Sequence, residues 1–285
     1  MMLFVNDLTN LDVSLWSPQC GLMGASWKVD AELTGEFDDD GVLFDSREVA
    51  AWIKSRLNAS VNQTLLVPTQ ASKLNVQECA EGLCIRTSLP YAMEVKAPRQ
   101  AFTLLPWGEI NLERLAKHYS EALSRLPPPR IQSIRLRLCE EFIDEAAYTY
   151  SHGLKRHPDN EQRIVHGHRS KLHIWCNGKR APELEAHWAH RLNERYLVDT
   201  ADILEGPAKD GGRQSGDHLT LGYRAGQGRF FLRLPRERCE ILPVSTSIDH
   251  IATWLAEQIA RSHGQTVRVQ AFEGIGKGAI AEASP

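Results

Sequence analysis

The chain reads as an α+β protein built from two tandem copies of one domain. Two observations predict this. The first is an internal repeat: Gly24-Ala25-Ser26-Trp27-Lys28-Val29 aligns with Gly167-His168-Arg169-Ser170-Lys171-Leu172, and the register holds without a gap to Thr34-Gly35 against Asn177-Gly178. Further on, Ser133–Glu140 aligns with Thr266–Glu273, Leu105-Pro106 with Leu242-Pro243, and Leu115-Ala116 with Ile251-Ala252. The second is that both halves carry the same order of periodicities: strand, strand, helix, hairpin, helix, strand. A repeat of about 140 residues fixes the architecture before any local reading does.

The elements follow in order. Leu3 to Leu15 alternates loosely as a strand, and Ser26 to Gly35 is a second, with Trp27, Val29, Ala31 and Leu33 on its apolar face. Asp38 to Gly41 predicts a turn. Ser46 to Leu57 predicts a helix with Ser46 as N-cap and a stripe of Val49, Trp52, Ile53 and Leu57. Ala80 to Ala97 predicts a hairpin. Asn111 to Leu126 predicts a helix stopped by Pro127-Pro128-Pro129, followed by a strand from Ile131 to Cys139. The second half opens on a strand around Val165–Ile174. It then predicts a helix over Pro182–Leu197 and a hairpin over His218–Leu234 turning at Ala225-Gly226-Gln227-Gly228. A helix over Ser247–Ser262 and a strand over Thr266–Phe272 close it. Gly206 to Gly216, rich in Gly and charge, predicts a mobile loop.

Composition excludes several classes. Net charge is -3 over 285 residues, so no polyanionic partner such as nucleic acid is expected. No apolar run approaches the ~20 residues of a membrane span. The start, Met1 to Asp7, has no basic segment ahead of an apolar core, so no secretory signal is expected. Six scattered cysteines read as reduced thiols, which points to a cytoplasmic protein.

The chemistry-bearing motif is Val165-His166-Gly167-His168-Arg169-Ser170. Alternate residues of a strand point to one face, so His166 and His168 aim two imidazoles at one point. That is how a zinc site can be built on a sheet. His152 or His157 upstream offers a third ligand.

The order of motifs resembles the 6-pyruvoyl- and 6-carboxytetrahydropterin synthase family of the tunnelling fold. Gly41-Val42-Leu43-Phe44-Asp45-Ser46 resembles that family's Gly-x-x-x-Asp-Phe turn into a helix, and Ser245–Ala252 its second helix start. Glu140 and Glu273 stand where the family's final-strand Glu stands. The resemblance implies two tandem tunnelling-fold domains, 1–148 and 149–285, each an antiparallel four-stranded sheet with two helices on one face. It also implies a homo-oligomer, in which sheets of several subunits close into a barrel.

Carried over residue by residue, the resemblance makes His166 and His168 zinc ligands, with His152 the best match to the upstream ligand and His157 the fallback; Tyr148 competes with His152 for that column. It makes Glu273 and Glu140 substrate-binding carboxylates, since a pterin edge can donate two parallel hydrogen bonds to a carboxylate. The departures are as informative. Met23-Gly24-Ala25 replaces His-Gly-His in the first half, and neither methionine nor alanine can stand in for imidazole on zinc. The expected catalytic Cys position holds Gln162 with Glu161 beside it, and the expected Asp-His pair reads Asn62-Gln63 and Asn193-Glu194. Cys20 reads as a relic of the catalytic Cys or, more simply, as a small buried hydrophobe.

Three readings result. One is a zinc-dependent lyase acting on dihydroneopterin or its triphosphate, in queuosine or folate biosynthesis, with Glu161 and Glu194 as the catalytic carboxylates of an aldolase-like variant. The second is a non-catalytic pterin- or purine-binding or scaffold protein that keeps fold and zinc. The third is a zinc hydrolase with an open coordination position.

Overall fold

The computed structural model describes residues 1–37, 44–155, 161–204 and 217–285. The turn expected at 38–41, His157 and the loop expected at 206–216 lie outside the described residues. The first half runs β1 (Met2–Ser17), β2 (Gly21–Gly35), α1 (Ser46–Ser60), β3 (Leu65–Pro68), β4 (Leu74–Cys79), β5 (Gly82–Thr87), β6 (Met93–Ala97), β7 (Phe102–Leu105), α2 (Leu112–Ser124) and β8 (Ile131–Glu140). The second runs β9 (Ala147–Leu154), β10 (Arg163–Cys176), β11 (Lys179–Arg180), α3 (Pro182–Leu192), β12 (Arg195–Asp199), β13 (His218–Ala225) and β14 (Gly228–Pro235). It continues through β15 (Cys239–Leu242), α4 (Ile248–His263), β16 (Val267–Phe272) and β17 (Gly278–Ala283). The division expected after residue 148 falls inside β9.

The repeat is written into the strand register. Val29 of β2 pairs with Leu138 of β8, and their repeat equivalents Leu172 and Ala271 pair in β10 and β16. Each half places its two helices against one side of its sheet, with Ile53 and Leu115 in one core and Leu192 and Leu255 in the other.

The sheets differ from the expected pair of four-stranded antiparallel ones. There are three. One is ordered β7-β3-β1-β2-β8, the second β15-β12-β9-β10-β16-β17 with β11 on β10, and the third β13-β14-β6-β5-β4. The first two are mixed, because β3 runs parallel to β1 and β7, and β12 parallel to β9 and β15. The hairpins of the two halves leave their own sheets and pair with each other, Leu232 opposite Val95. The third sheet so formed covers the helix-free sides of both other sheets, and Val67, Ile164, Val198, Val95 and Leu232 share that core.

This arrangement explains what the periodicity missed. Leu66 of β3 faces the helix core while Leu65 and Val67 face the third sheet. A strand buried on both sides has no polar alternation to reveal it. The same holds for β12, where Leu197 and its neighbours Tyr196 and Val198 enter different cores. For that reason the second-half helix ends at Leu192, five residues short of the expected Leu197. The first helix is capped by Asp45, whose Oδ1 accepts the Arg47 N–H at 2.8 Å, and not by Ser46. Asn111 caps α2 through Arg114 N–H at 3.0 Å.

The two halves also meet directly where β2 crosses β10 at Gly24 and Gly167. A Cβ on Gly167 would stand 2.7 Å from the Gly24 Cα, so only glycine permits this approach of the two backbones.

Candidate metal centre

β9 and β10 pair antiparallel with His152 opposite His166 and Tyr150 opposite His168. The pleat therefore sends His152, His166 and His168 to one side, where a ligand nitrogen from each lies within 4.8 Å of the others. The His152 and His166 ring centroids are 4.3 Å apart, and those of His166 and His168 4.7 Å. All three are buried. His152 Nδ1 is 3.2 Å from the Thr246 hydroxyl, just ahead of α4, which leaves its Nε2 to face inward. His152 Nε2, His166 Nδ1 and both His168 nitrogens lack hydrogen-bond partners. Buried polar atoms without partners are costly. Three rings converging with such atoms is the donor pattern of a metal ligand set. Burial first, then the neighbouring histidines, pushes the pKa of His152 and of His166 well below the usual imidazole value. Neutral imidazole is the form that ligates metal. Histidine donors at this number and spacing fit zinc.

The first half borders the centre. Asp12 of β1 is buried, and its Oδ1 lies 3.2 Å from His168 Nδ1, outside hydrogen-bond geometry. The same oxygen accepts the Ser26 hydroxyl at 2.6 Å. Lys277, in the β16–β17 turn, places Nζ 3.3 Å from Asp12 Oδ2 and 3.4 Å from Glu273 Oε2. Glu273 Oε1 is 4.0 Å from His168 Nε2. Burial raises the Asp12 pKa, but His168, Lys277 and Ser26 outweigh it and the net direction is down. Burial likewise lowers that of Lys277, and the carboxylates of Asp12 and Glu273 reverse it. A cleft of about 70 Å³ reaches the centre, lined by His152, Lys155, Asp202, Thr246 and Glu273, with Lys155 and Asp202 ion-paired at its side.

The first half holds no such centre among the described residues. By register, Leu15 faces Met23 where His152 faces His166, and Val13 faces Ala25 where Tyr150 faces His168.

The expected carboxylates separate. Glu273 stands at the histidines. Glu140 is largely exposed and 3.6 Å from Arg169 Nε. Glu161 is exposed beside Lys54 and Asn58 of α1. Glu194 faces Arg238 at 3.6 Å. Asn193 and Asn62 do matching structural work: each Oδ1 accepts a strand N–H at 2.9 Å, from Thr149 and from Asp12. The next residues, Glu194 and Gln63, take positive φ of 56° and 58° and donate their N–H to the carbonyls of Thr149 and Asp12. Gln162 is buried, and Cys20 is only half-buried, with its N–H on Ser17 Oγ at 3.1 Å. Asp12 and Lys277 escaped the sequence reading because nothing local links them to a histidine about 110 or 155 residues away in the chain; Thr246 sat within the helix-start motif and could have been named from it.

No family model matches the chain. A putative 6-carboxy-5,6,7,8-tetrahydropterin synthase of Pyrococcus horikoshii is 23% identical over 128 residues, which are 45% of this chain and 74% of that protein. The chain resembles a tetrahydropterin synthase, in tandem. The solved 6-pyruvoyltetrahydropterin synthase of Plasmodium vivax aligns with a TM-score of 0.41 and 15% identity over 51% of this chain and 93% of its own. That of Plasmodium falciparum gives 0.39 and 14% over 48% and 90%. No helix among the described residues is long and apolar enough to cross a membrane.

Proposed function

We propose that this chain is a zinc-dependent enzyme of pterin metabolism, a lyase acting on dihydroneopterin-type substrates. The observation that carries this is the trio His152, His166 and His168, all buried and aimed at one point, in a chain similar to a 6-carboxytetrahydropterin synthase. Zinc held there supplies Lewis acidity toward vicinal oxygens of a substrate side chain. Glu273, at the rim of the same cleft, accepts the paired N–H groups of a pterin edge, with the Lys277 ammonium 3.4 Å from its Oε2. Glu161 and Glu194 remain the proposed proton-transfer groups of an aldolase-like variant. A homo-oligomer belongs to the same reading: among the described residues β8 has no strand on its outer edge, where its repeat equivalent β16 carries β17.

A second reading has its own support. Glu161 and Glu194 stand apart at α1 and Arg238, and Asn193 is committed to holding β9. A pterin- or purine-binding protein that keeps the metal without turnover accounts for both. The test is metal content read beside turnover. Full-length protein from zinc-supplemented expression is expected to carry one zinc per chain, lost in the His166→Ala/His168→Ala double variant. It is expected to consume dihydroneopterin triphosphate or dihydroneopterin. Pterin binding without turnover selects the second reading, and protein free of zinc refutes both.

A further inference from the structure

We propose that the metal centre spans both halves of the chain: Asp12 of the first half is a positioning residue that holds the Nδ1 edge of His168 and turns Nε2 toward the ion. The inference rests on the reading that the three histidines bind a metal.

Three observations carry it. The first is placement. Asp12 is buried, its carboxylate is 3.2 Å from His168 Nδ1, and Ser26 Oγ ties it down at 2.6 Å. Ser26 Oγ in turn accepts the backbone N–H of Arg169, the residue after His168, at 3.1 Å. The first half therefore grips the ligand strand at both the side chain and the backbone beside it.

The second is the repeat. Asp12 pairs with Ser26 across β1 and β2, and Thr149 pairs with Arg169 at the equivalent place in β9 and β10. The acid occurs only in the copy whose residue reaches the other half's histidine. The third is the shape of the β16–β17 turn. Gly274 has φ of 71°, and a Cβ there would meet Ser26 Oγ at 2.8 Å and the Asp12 carboxylate closer still. The turn thus leaves room for the buried acid.

A histidine bound to metal through one nitrogen usually gives its other N–H to a carboxylate or carbonyl, which fixes the tautomer and raises ligand basicity. The Thr246 hydroxyl occupies that place beside His152 Nδ1, and the Asp12 carboxylate stands at the corresponding edge of His168, 3.2 Å from Nδ1. The competing account makes Asp12 a mere ion-pair partner of Lys277, 3.3 Å away. The two accounts differ in sign. If Asp12 supports the metal, the Lys277 ammonium competes for that carboxylate and repels a dication.

The experiment measures zinc affinity of the full chain by competition with a chromogenic chelator. For Asp12→Asn we expect affinity about 10- to 100-fold weaker, the usual loss of such an outer partner. For Lys277→Gln we expect tighter binding. Near-ultraviolet circular dichroism of each metal-free variant checks the fold, and the d–d bands of the cobalt(II) form, shifted in Asp12→Asn, report the ligand geometry directly. Folded Asp12→Asn protein with wild-type zinc affinity overturns the inference and leaves the metal reading standing. If Asp12→Asn does not fold, the lysine variant decides, and unchanged or weaker zinc binding there overturns it. A wild-type chain that takes up no zinc overturns both.

Discussion

Replacing Gly24 by alanine tests how the two halves are joined. An added Cβ would lie 2.5 Å from the carbonyl oxygen and 2.6 Å from the nitrogen of His168, and closer still to the carbonyl oxygen of Tyr150. Ordinary contact begins at 3.4 Å, so the methyl intrudes by at least roughly 0.9 Å. The atoms it meets are backbone, held in the β9–β10 ladder, and cannot rotate away as a side chain would. Relief requires β2 and β10 to part, which loosens the packing between the sheets. Overpacking of this kind costs about 1–3 kcal/mol, and an intrusion on backbone belongs at the upper end. For a chain of this size the melting temperature should fall by roughly 6–12 °C. Because the strand displaced carries His168, zinc affinity should fall in the same variant. Gly167→Ala, meeting the Tyr150 oxygen at 2.5 Å, should behave alike, whereas Gly108→Ala, with nothing within 4 Å, should melt as wild type. Thermal unfolding followed by circular dichroism provides the readout. A Gly24→Ala protein that melts with wild type and keeps its zinc affinity would refute the crossing of β2 over β10 as the joint between the halves.

Two further outcomes are expected. Metal-free protein should lose stability as pH falls below about 6.5. His152 and His166 resist protonation when folded, so the unfolded chain takes up protons first, and each contributes about 1.4 kcal/mol per pH unit below the ordinary imidazole pKa. Urea midpoints at pH 7.5 and 5.5 measure this, and equal midpoints would show that the two rings protonate freely in the fold. Glu273→Gln should weaken pterin binding to zinc-loaded protein by about 1.5–3 kcal/mol in a fluorescence titration, while the exposed Glu140→Gln should leave it unchanged. Equal losses in both variants would place the first half's Glu140 in the pocket.

The amino-acid sequence by itself determined the tandem repeat, the four helices in their order and the pairing of His166 with His168 on one face, and it left the third histidine open between His152 and His157. Each rests on short-range information. A duplicated register is read by alignment, an amphipathic helix by its stripe, and His166 and His168 by the two-residue period that puts them on one face. His152 needed only a neighbouring strand, which the structure supplies by pairing it with His166. The loss of a centre in the first half was equally legible, because Met23 and Ala25 cannot ligate zinc.

Only the tertiary structure decided the rest. Strands such as β3 and β12 are buried on both sides and so carry no alternation to read. The third sheet forms because Val95 of one hairpin meets Leu232 of the other across 137 residues of chain, a pairing that no local pattern encodes. Asn62-Gln63 and Asn193-Glu194 stand where the resemblance expects an Asp-His pair, and the two asparagines hold strands, since their role depends on which N–H the fold brings to their Oδ1. Asp12 shows the limit most plainly: on its own strand it is one of two acids, beside Asp7, and it becomes a neighbour of His168 only because two glycines let β2 and β10 touch.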